Sequence, residues 1–369
     1  MTAPPSAASH AAHHAAQHAD HEYHDDIIYP SARPFLLVHL ACLAAFWTGV
    51  PRGALVTCVA LYVVRMFGVT AGYHRYFSHR SFKTSRVFQF LLAFLAQSSA
   101  QRGALWWAAT HRHHHRHSDT EDDVHSPRHR GFWYAHVGWV FAPRAPEETY
   151  RDEVPDLARF PELVWLDRHR YLPAAVLAAG CLAFGGWAGL VVGFFWSTTL
   201  LYHGTFMINS LAHVHGRQRY VTGDDSRNNW WLAVLTLGEG WHNNHHAYQR
   251  STRQGFRWYE FDPTFYALTA LSWVRVVWEL GEPPADVVRN ERKLGRAVLE
   301  KVARQVAESF HEGLAHAPAL PSVPTLDEVR RRAQAMVAHT PSLDEIAARA
   351  RELLAERVGQ GSGPSLATG

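Results

Sequence analysis

Four apolar runs, set as two close pairs, restrict what this 369-residue chain can fold into. Residues 34–50 and 54–73 are separated by a Pro51-Arg52-Gly53 break, and residues 171–185 and 187–208 meet at Gly185-Gly186. A helix crossing a bilayer needs about 20 mostly apolar residues, within a range of roughly 17–25. The second and fourth runs meet that length comfortably, and the first and third are short. Trp and Tyr near the ends of the runs favour a membrane over a buried soluble pair. The expectation is an all-α membrane protein with four transmembrane helices in two hairpins. A share of 47% apolar and 19% charged residues fits a membrane core joined to a larger polar part.

Each hairpin returns the chain to the side it left, so the connector between them and everything after the fourth run share one face. That face carries most of the Arg and Lys between Arg75 and Arg170, which makes it cytoplasmic by the positive-inside rule. Both termini are expected on the same side. Residues 86–105 read as an interfacial or protein-covered helix, and residues 263–280 as an amphipathic segment lying on the membrane. A formal charge of only +3 gives no reason to expect a nucleic-acid partner.

The same face collects histidines, of which the chain has 27. At about 100° per residue, a spacing of i, i+3, i+4 gathers three side chains on one helix face. His111, His114 and His115 in HRHHHRH have that spacing, while His113 and His117 point elsewhere. WHNNHH repeats it with His242, His245 and His246. HRYFSH adds His74 and His79, and NSLAH places Asn209 and His213 four residues apart at a helix end. Neutral imidazole suits iron, copper, zinc and nickel. The three cysteines, Cys42, Cys58 and Cys181, lie in apolar runs with no CxxC pair, which excludes a thiolate site and points to a reducing compartment. His125, His129, His136, His203 and His215 receive no role, although His203 lies in an apolar run, where its ring needs a partner.

Residues 1–30 are Ala/His-rich and low in complexity, and are expected to be disordered. Residues 31–282 form the membrane domain with a cytoplasmic helical cap. From 283 to 369 the composition turns charged and Ala-rich, with capping-box patterns at Thr325/Glu328 and Ser342/Glu345. A solvated helical extension is expected there.

The ordered boxes HRYFSH, HRHHH and HNNHH, within GVTAGYHRYFSHRSFK, RGFWYAHVGW and GEGWHNNHH, resemble the membrane-bound fatty acyl desaturases, in particular the Δ9, stearoyl-CoA type. The resemblance covers about residues 35–280. It implies a histidine-box di-iron site: two Fe ions held by His74, His79, His111, His114, His115, His213, His242, His245 and His246, with Asn209 contacting one iron through water. It also implies O2 as co-substrate and a cis double bond, at Δ9, in a long-chain saturated acyl chain carried as a CoA thioester or on a membrane lipid. Removing hydrogen from a methylene needs an oxidant that no side chain provides. Electrons must come from a separate ferredoxin, rubredoxin or cytochrome b5-like donor, since the chain has neither a haem-binding CxxCH nor enough cysteines for a cluster.

The resemblance also assigns a bent acyl tunnel. Gln101, Trp107 and Thr205 match the polar residues at its bend, where mutual hydrogen bonding is expected. Tyr62 and Met66, twelve and eight residues before His74, are expected to close it. Ala109 and Thr110 stand where members using acyl-CoA carry an Arg-Asp pair, leaving Arg128 and Arg130 to hold a phosphate or an acidic partner. Asp119, Glu121, Asp122, Asp123 and Glu239 are candidates to orient ligand imidazoles. Arg65, inside the second run, is expected to snorkel. A di-iron acyl or alkane hydroxylase is the nearest rival reading, and a metal transporter a remote one.

Overall fold

A computed structural model of the chain describes residues 32–142, 149–310 and 323–361, so the Ala/His-rich N-terminal segment lies outside the described residues. The first apolar helix, α1 (Arg33–Thr48), stops where Gly49 adopts φ +69°. Pro51 then caps α2 (Arg52–Ser78), so the turn falls slightly earlier than the Pro-Arg-Gly triplet. The second apolar stretch, Leu172–His213, folds back at Gly186 (φ 59°, ψ −158°) into α5 before that glycine and α6 after it. Such a backbone angle suits only glycine, which is why a Gly-Gly pair stands there. Arg52–Ser78 and Leu172–His213 are long and apolar enough to cross a membrane. Ala54 and Cys58 of α2 pack against Val191 and Val192 of α6, with Ala44 and Ala45 of α1 alongside, so the two hairpin tips share one end of the molecule. Phe46, Trp47, Phe184 and Trp187 stand exposed at these tips.

Between the hairpins lie α3 (Arg86–Gln97) and α4 (Ala104–His117). The expected helix over 86–105 is thus two, broken at 98–103, where Ala100 and Arg102 take positive φ. The Ser85 hydroxyl caps α3, and one face, with Leu92, Ala93 and Ala96, is buried while Val87 and Leu91 are exposed. Beyond α6 come α7 (His242–Ala247) and α8 (Pro263–Trp273). Helix α8 ends well before residue 280, because the chain turns into a strand, Val277–Trp278, antiparallel to Lys83–Thr84.

Arg65 does not snorkel. It is buried and donates to the Thr198 hydroxyl at 2.8 Å, to the Ser98 carbonyl at 3.2 Å and to Ser197. Internal hydroxyls supply what the interface was expected to supply. His203 finds its partners in two other histidines: His39 Nε2 lies 3.1 Å from its Nε2, and His136 Nε2 lies 3.0 Å from its Nδ1.

The C-terminal helices α9 (Arg296–Ser309), α10 (Leu326–Met336) and α11 (Leu343–Gly361) are not a free appendage. Val302, Val306, Val329, Ile346 and Leu354 build a buried cluster that also takes in Val221 of the preceding part. The Thr325/Glu328 capping box forms, and the Ser342 hydroxyl accepts from the Leu294 N–H at 2.9 Å.

Candidate metal centre

The last turns of α2 explain the HxxxxH spacing. On an α-helix, residues five apart point about 140° away from one another. From Gly68 to Ser78 the helix instead winds as a π-helix, with the His79 N–H bonded to the His74 carbonyl at 3.2 Å. The wider turn brings the two rings to 4.9 Å, and such π segments are often found at functional sites. Close approach of α3 holds this segment: a Cβ on Gly72 would stand 3.1 Å from Leu92 Cγ and 3.3 Å from its carbonyl oxygen.

His111 and His115 of α4 and His245 of α7 join them. The five ligand nitrogens of His74, His79, His111, His115 and His245 lie within 4.8 Å of one another. Nε2 atoms meet at 3.0 Å between His74 and His245, 2.9 Å between His79 and His111, and 3.0 Å between His115 and His245. His114, His213, His242 and His246 form a second group beside the first. Each HxxHH box therefore divides. Its i, i+4 pair goes to one cluster and its middle histidine to the other: His111/His115 against His114, and His242/His246 against His245. This corrects the expectation of three histidines acting on one face. Adjacent positions on a helix diverge by about 100°, so the two neighbouring histidines reach in different directions.

Carboxylates hold the second nitrogen of four rings. Nδ1–H of His74 donates to Glu239, that of His114 to Asp123 at 2.9 Å, that of His213 to Asp119 at 2.8 Å, and that of His246 to Asp224 at 2.7 Å. Asp119 adopts φ 56°, a left-handed conformation that Asp tolerates better than most residues. Three of the five expected acids are thus in contact, while Glu121 and Asp122 are exposed. Sequence reasoning missed Asp224, and also Gln254, whose amide lies 3.2 Å from His74 Nδ1. It missed Arg75 as well, fully buried inside HRYFSH and paired to Glu239 at 3.1 Å and to Asp262 at 2.9 Å. Removing one partner from such a buried ion pair costs about 3–5 kcal/mol. A charged residue directly after a candidate ligand was the available signal. The two asparagines of HNNHH anchor α7: Asn243 accepts from the Arg219 and Tyr220 N–H groups at 2.7 Å, and Asn244 donates to Glu260 at 2.8 Å.

Electrostatics argue for cations here. A ring whose Nδ1–H is spent on a carboxylate presents a bare lone pair at Nε2. His114, His213 and His246 all turn Nε2 into one cluster, and His246 Nε2 is buried with no protein partner among the described residues. Burial, with the neighbouring imidazoles, pushes His79, His111, His115, His242 and His245 well below the ordinary histidine range, which keeps them in the neutral, ligating form. Burial opposes ionisation of Asp224 and Asp123, yet His246 and His114 beside them hold both carboxyls well below their usual range. The nine histidines fit two imidazole-bound metal ions.

Of the unassigned histidines, His125 is buried, 4.4 Å ring to ring from His114. His113 bonds the Asp122 carbonyl at 3.0 Å and His117 stacks on it, outside both clusters. His129 lies 3.0 Å from the Asp119 carbonyl, and His215 is exposed.

Cavities run past the clusters. The outer one is lined by Phe35, Trp106, Tyr171 and Tyr202, the middle one by Thr110, His111, His125 and Asn209, the inner one by Met66, Val69, His74 and Glu239. Gln101, lining the outer and middle cavities, donates at 3.1 Å to Thr205, which lines the middle and inner ones, while Trp107 stacks on His111 at 4.8 Å rather than joining that bond. Asn209 shares the inner cavity with His111 and His242. Met66 is among the residues lining it, and Tyr62, one turn earlier, donates to the Leu235 carbonyl at 2.7 Å. Arg128, at the surface, is paired with Asp225 through two bonds of 2.7 and 2.8 Å, and Arg130 donates to the Tyr134 hydroxyl at 2.6 Å.

The family model for fatty acid desaturases matches residues 51–272, which contain all nine histidines. The acyl-CoA 5-desaturase AL21 of Anemone leveillei is 36% identical over 72% of this chain and 82% of its own length. The chain belongs to the fatty acid desaturase family. The sn-2 palmitoyl-lipid 9-desaturase of Nostoc is 38% identical over 55% of this chain and 73% of its own length, and the sn-1 stearoyl-lipid 9-desaturase of Anabaena variabilis is 36% identical over 64% and 88%. This desaturase is accordingly an oxidoreductase acting on fatty acyl chains. The family match ends before α9 begins, so the helical extension is additional to the shared part.

Proposed function

We propose that this desaturase uses O2 and a di-iron centre to place a cis double bond, at Δ9, in a long-chain saturated acyl chain carried by CoA or by a membrane lipid. The observation that carries the reading is the division of nine histidines into groups of five and four, side by side, at the end of the molecule away from the hairpin tips. From Arg52 to Phe67 the α-helical part rises about 22 Å at ~1.5 Å per residue, and the π-helical turns to His74 extend it towards the ~30 Å of a bilayer core. That length supports four spans, with both clusters at one membrane surface. The density of Arg and Lys supports the cytoplasmic side for that surface and for both termini.

Bound iron would supply the oxidising power to take two hydrogens from adjacent methylenes, O2 leaving as water with two external electrons and two protons. His74, His79, His111, His115 and His245 would hold one ion; His114, His213, His242 and His246, with Asn209 through water, the other. The protein's own task is positioning. The Gln101–Thr205 bond sets the bend, Trp107 fixes the His111 ring against the passage, and Met66 with Tyr62 closes the far end. A separate ferredoxin, rubredoxin or cytochrome b5-like protein delivers electrons at the basic cytoplasmic face.

Gas chromatography of lipids from cells expressing the protein tests this. A new monounsaturated acyl chain is expected, absent when His115→Ala replaces the wild type. An alcohol at the same carbon would favour the hydroxylase reading instead.

A further inference from the structure

Helix α9 of the C-terminal extension bonds to the loops behind the four-histidine cluster. Lys301 of α9 donates to the Ser118 carbonyl, next to Asp119, and Gln305 donates to the Gly223 carbonyl at 3.0 Å, next to Asp224. Gly223 adopts φ +78°, and a Cβ there would stand 3.2 Å from Lys301 Cδ, so the glycine lets the lysine stem lie across the loop. Val221 of the same loop is buried among Val302, Val306 and their neighbours. The two loops are also joined to each other, since the Asp225 N–H donates to Asp119 at 2.8 Å. The Lys301 ammonium lies in the field of Asp224, Asp119 and Asp123. Those three carboxylates orient His246, His213 and His114, three of the four histidines in the smaller cluster. The five-histidine cluster draws its support from Glu239, Arg75 and Asp262, whose ion pairs among the described residues are with His74 and with one another rather than with α9.

We propose that the extension is a clamp for the four-histidine site, with Lys301 and Gln305 as positioning residues that hold the loops carrying Asp119, Asp123 and Asp224. This rests on the di-iron reading above and goes beyond it, because it makes a segment outside the family match responsible for one metal ion of the two. Outer-shell partners of ligating histidines typically change metal affinity by 10–100-fold. Loosening the clamp should weaken one site by such a factor and spare its neighbour.

The test uses full-length protein in detergent, loaded anaerobically with ferrous iron and freed of excess, with iron per chain measured by elemental analysis. Wild type should hold two irons, and the double substitution Lys301→Met, Gln305→Ala should fall towards one. Lys301→Arg, which keeps a donor for the Ser118 carbonyl, should stay near two. Two irons retained by the double variant, or both lost together, would overturn the clamp. If the double variant does not fold, Lys301→Met alone carries the same expectation with a smaller loss. A wild type that takes up no iron would remove the di-iron reading itself, whereas a loaded wild type with an equally loaded variant removes only the clamp.

Discussion

At the scale of residues, the candidate ligands were legible and their supports only partly so. Imidazole density at i, i+3, i+4 points to a candidate metal site because few other uses bury so many histidines together. Asp224 stayed hidden because its service to His246 is a tertiary contact 22 positions away, with no spacing rule to reveal it. Asp224→Asn offers an amide oxygen without the charge that keeps His246 Nδ1–H engaged. Metal affinity of the four-histidine cluster should drop about 10–100-fold, seen as a weaker second phase in an iron titration; an unaltered titration would mean the carboxylate is dispensable. Met66 offers a second test. This side chain lines the inner cavity, and its methyl lies 3.0 Å from where a Cβ on Gly204 would stand. Met66→Ala should shift the products towards longer acyl chains, and an unchanged chain-length profile would remove Met66 from the end of the tunnel.

Among the elements, the two hairpins could be read from apolar length and glycine turns, and the structure kept both. What patterning did not convey was winding. The 100° period used for sequence reading presumes an α-helix, so the π-helical turns of Gly68–Ser78 were invisible to it, although they alone explain how His74 and His79 share a cluster. The break at 98–103 was equally hidden, because it is stabilised by tertiary contacts such as the Gln97 amide on the Leu166 carbonyl at 2.9 Å. Gly72 is where the π segment and α3 touch. Gly72→Val should cost about 1–3 kcal/mol by overpacking, and should move His74 as well. A lowered melting temperature with reduced iron content is expected; full iron content at wild-type stability would show that the close contact is not needed.

For the whole molecule, the extension was the least legible part. Its amphipathic, charged composition reads as solvated helix because burial against a distant loop leaves no mark beyond an ordinary apolar stripe. Only in three dimensions does the stripe of α9 meet Val221 and the loops behind the smaller cluster. The site itself is likewise a property of the complete chain, assembled from the ends of α2 and α6, from α4 and from α7. The most direct measurement of the central claim is a Mössbauer spectrum of full-length protein loaded with iron-57 under reducing conditions. Two iron environments of equal area are predicted, one for five imidazoles and one for four with an oxygen donor. A folded, membrane-competent protein showing a single environment, or no bound iron at all, would contradict the account.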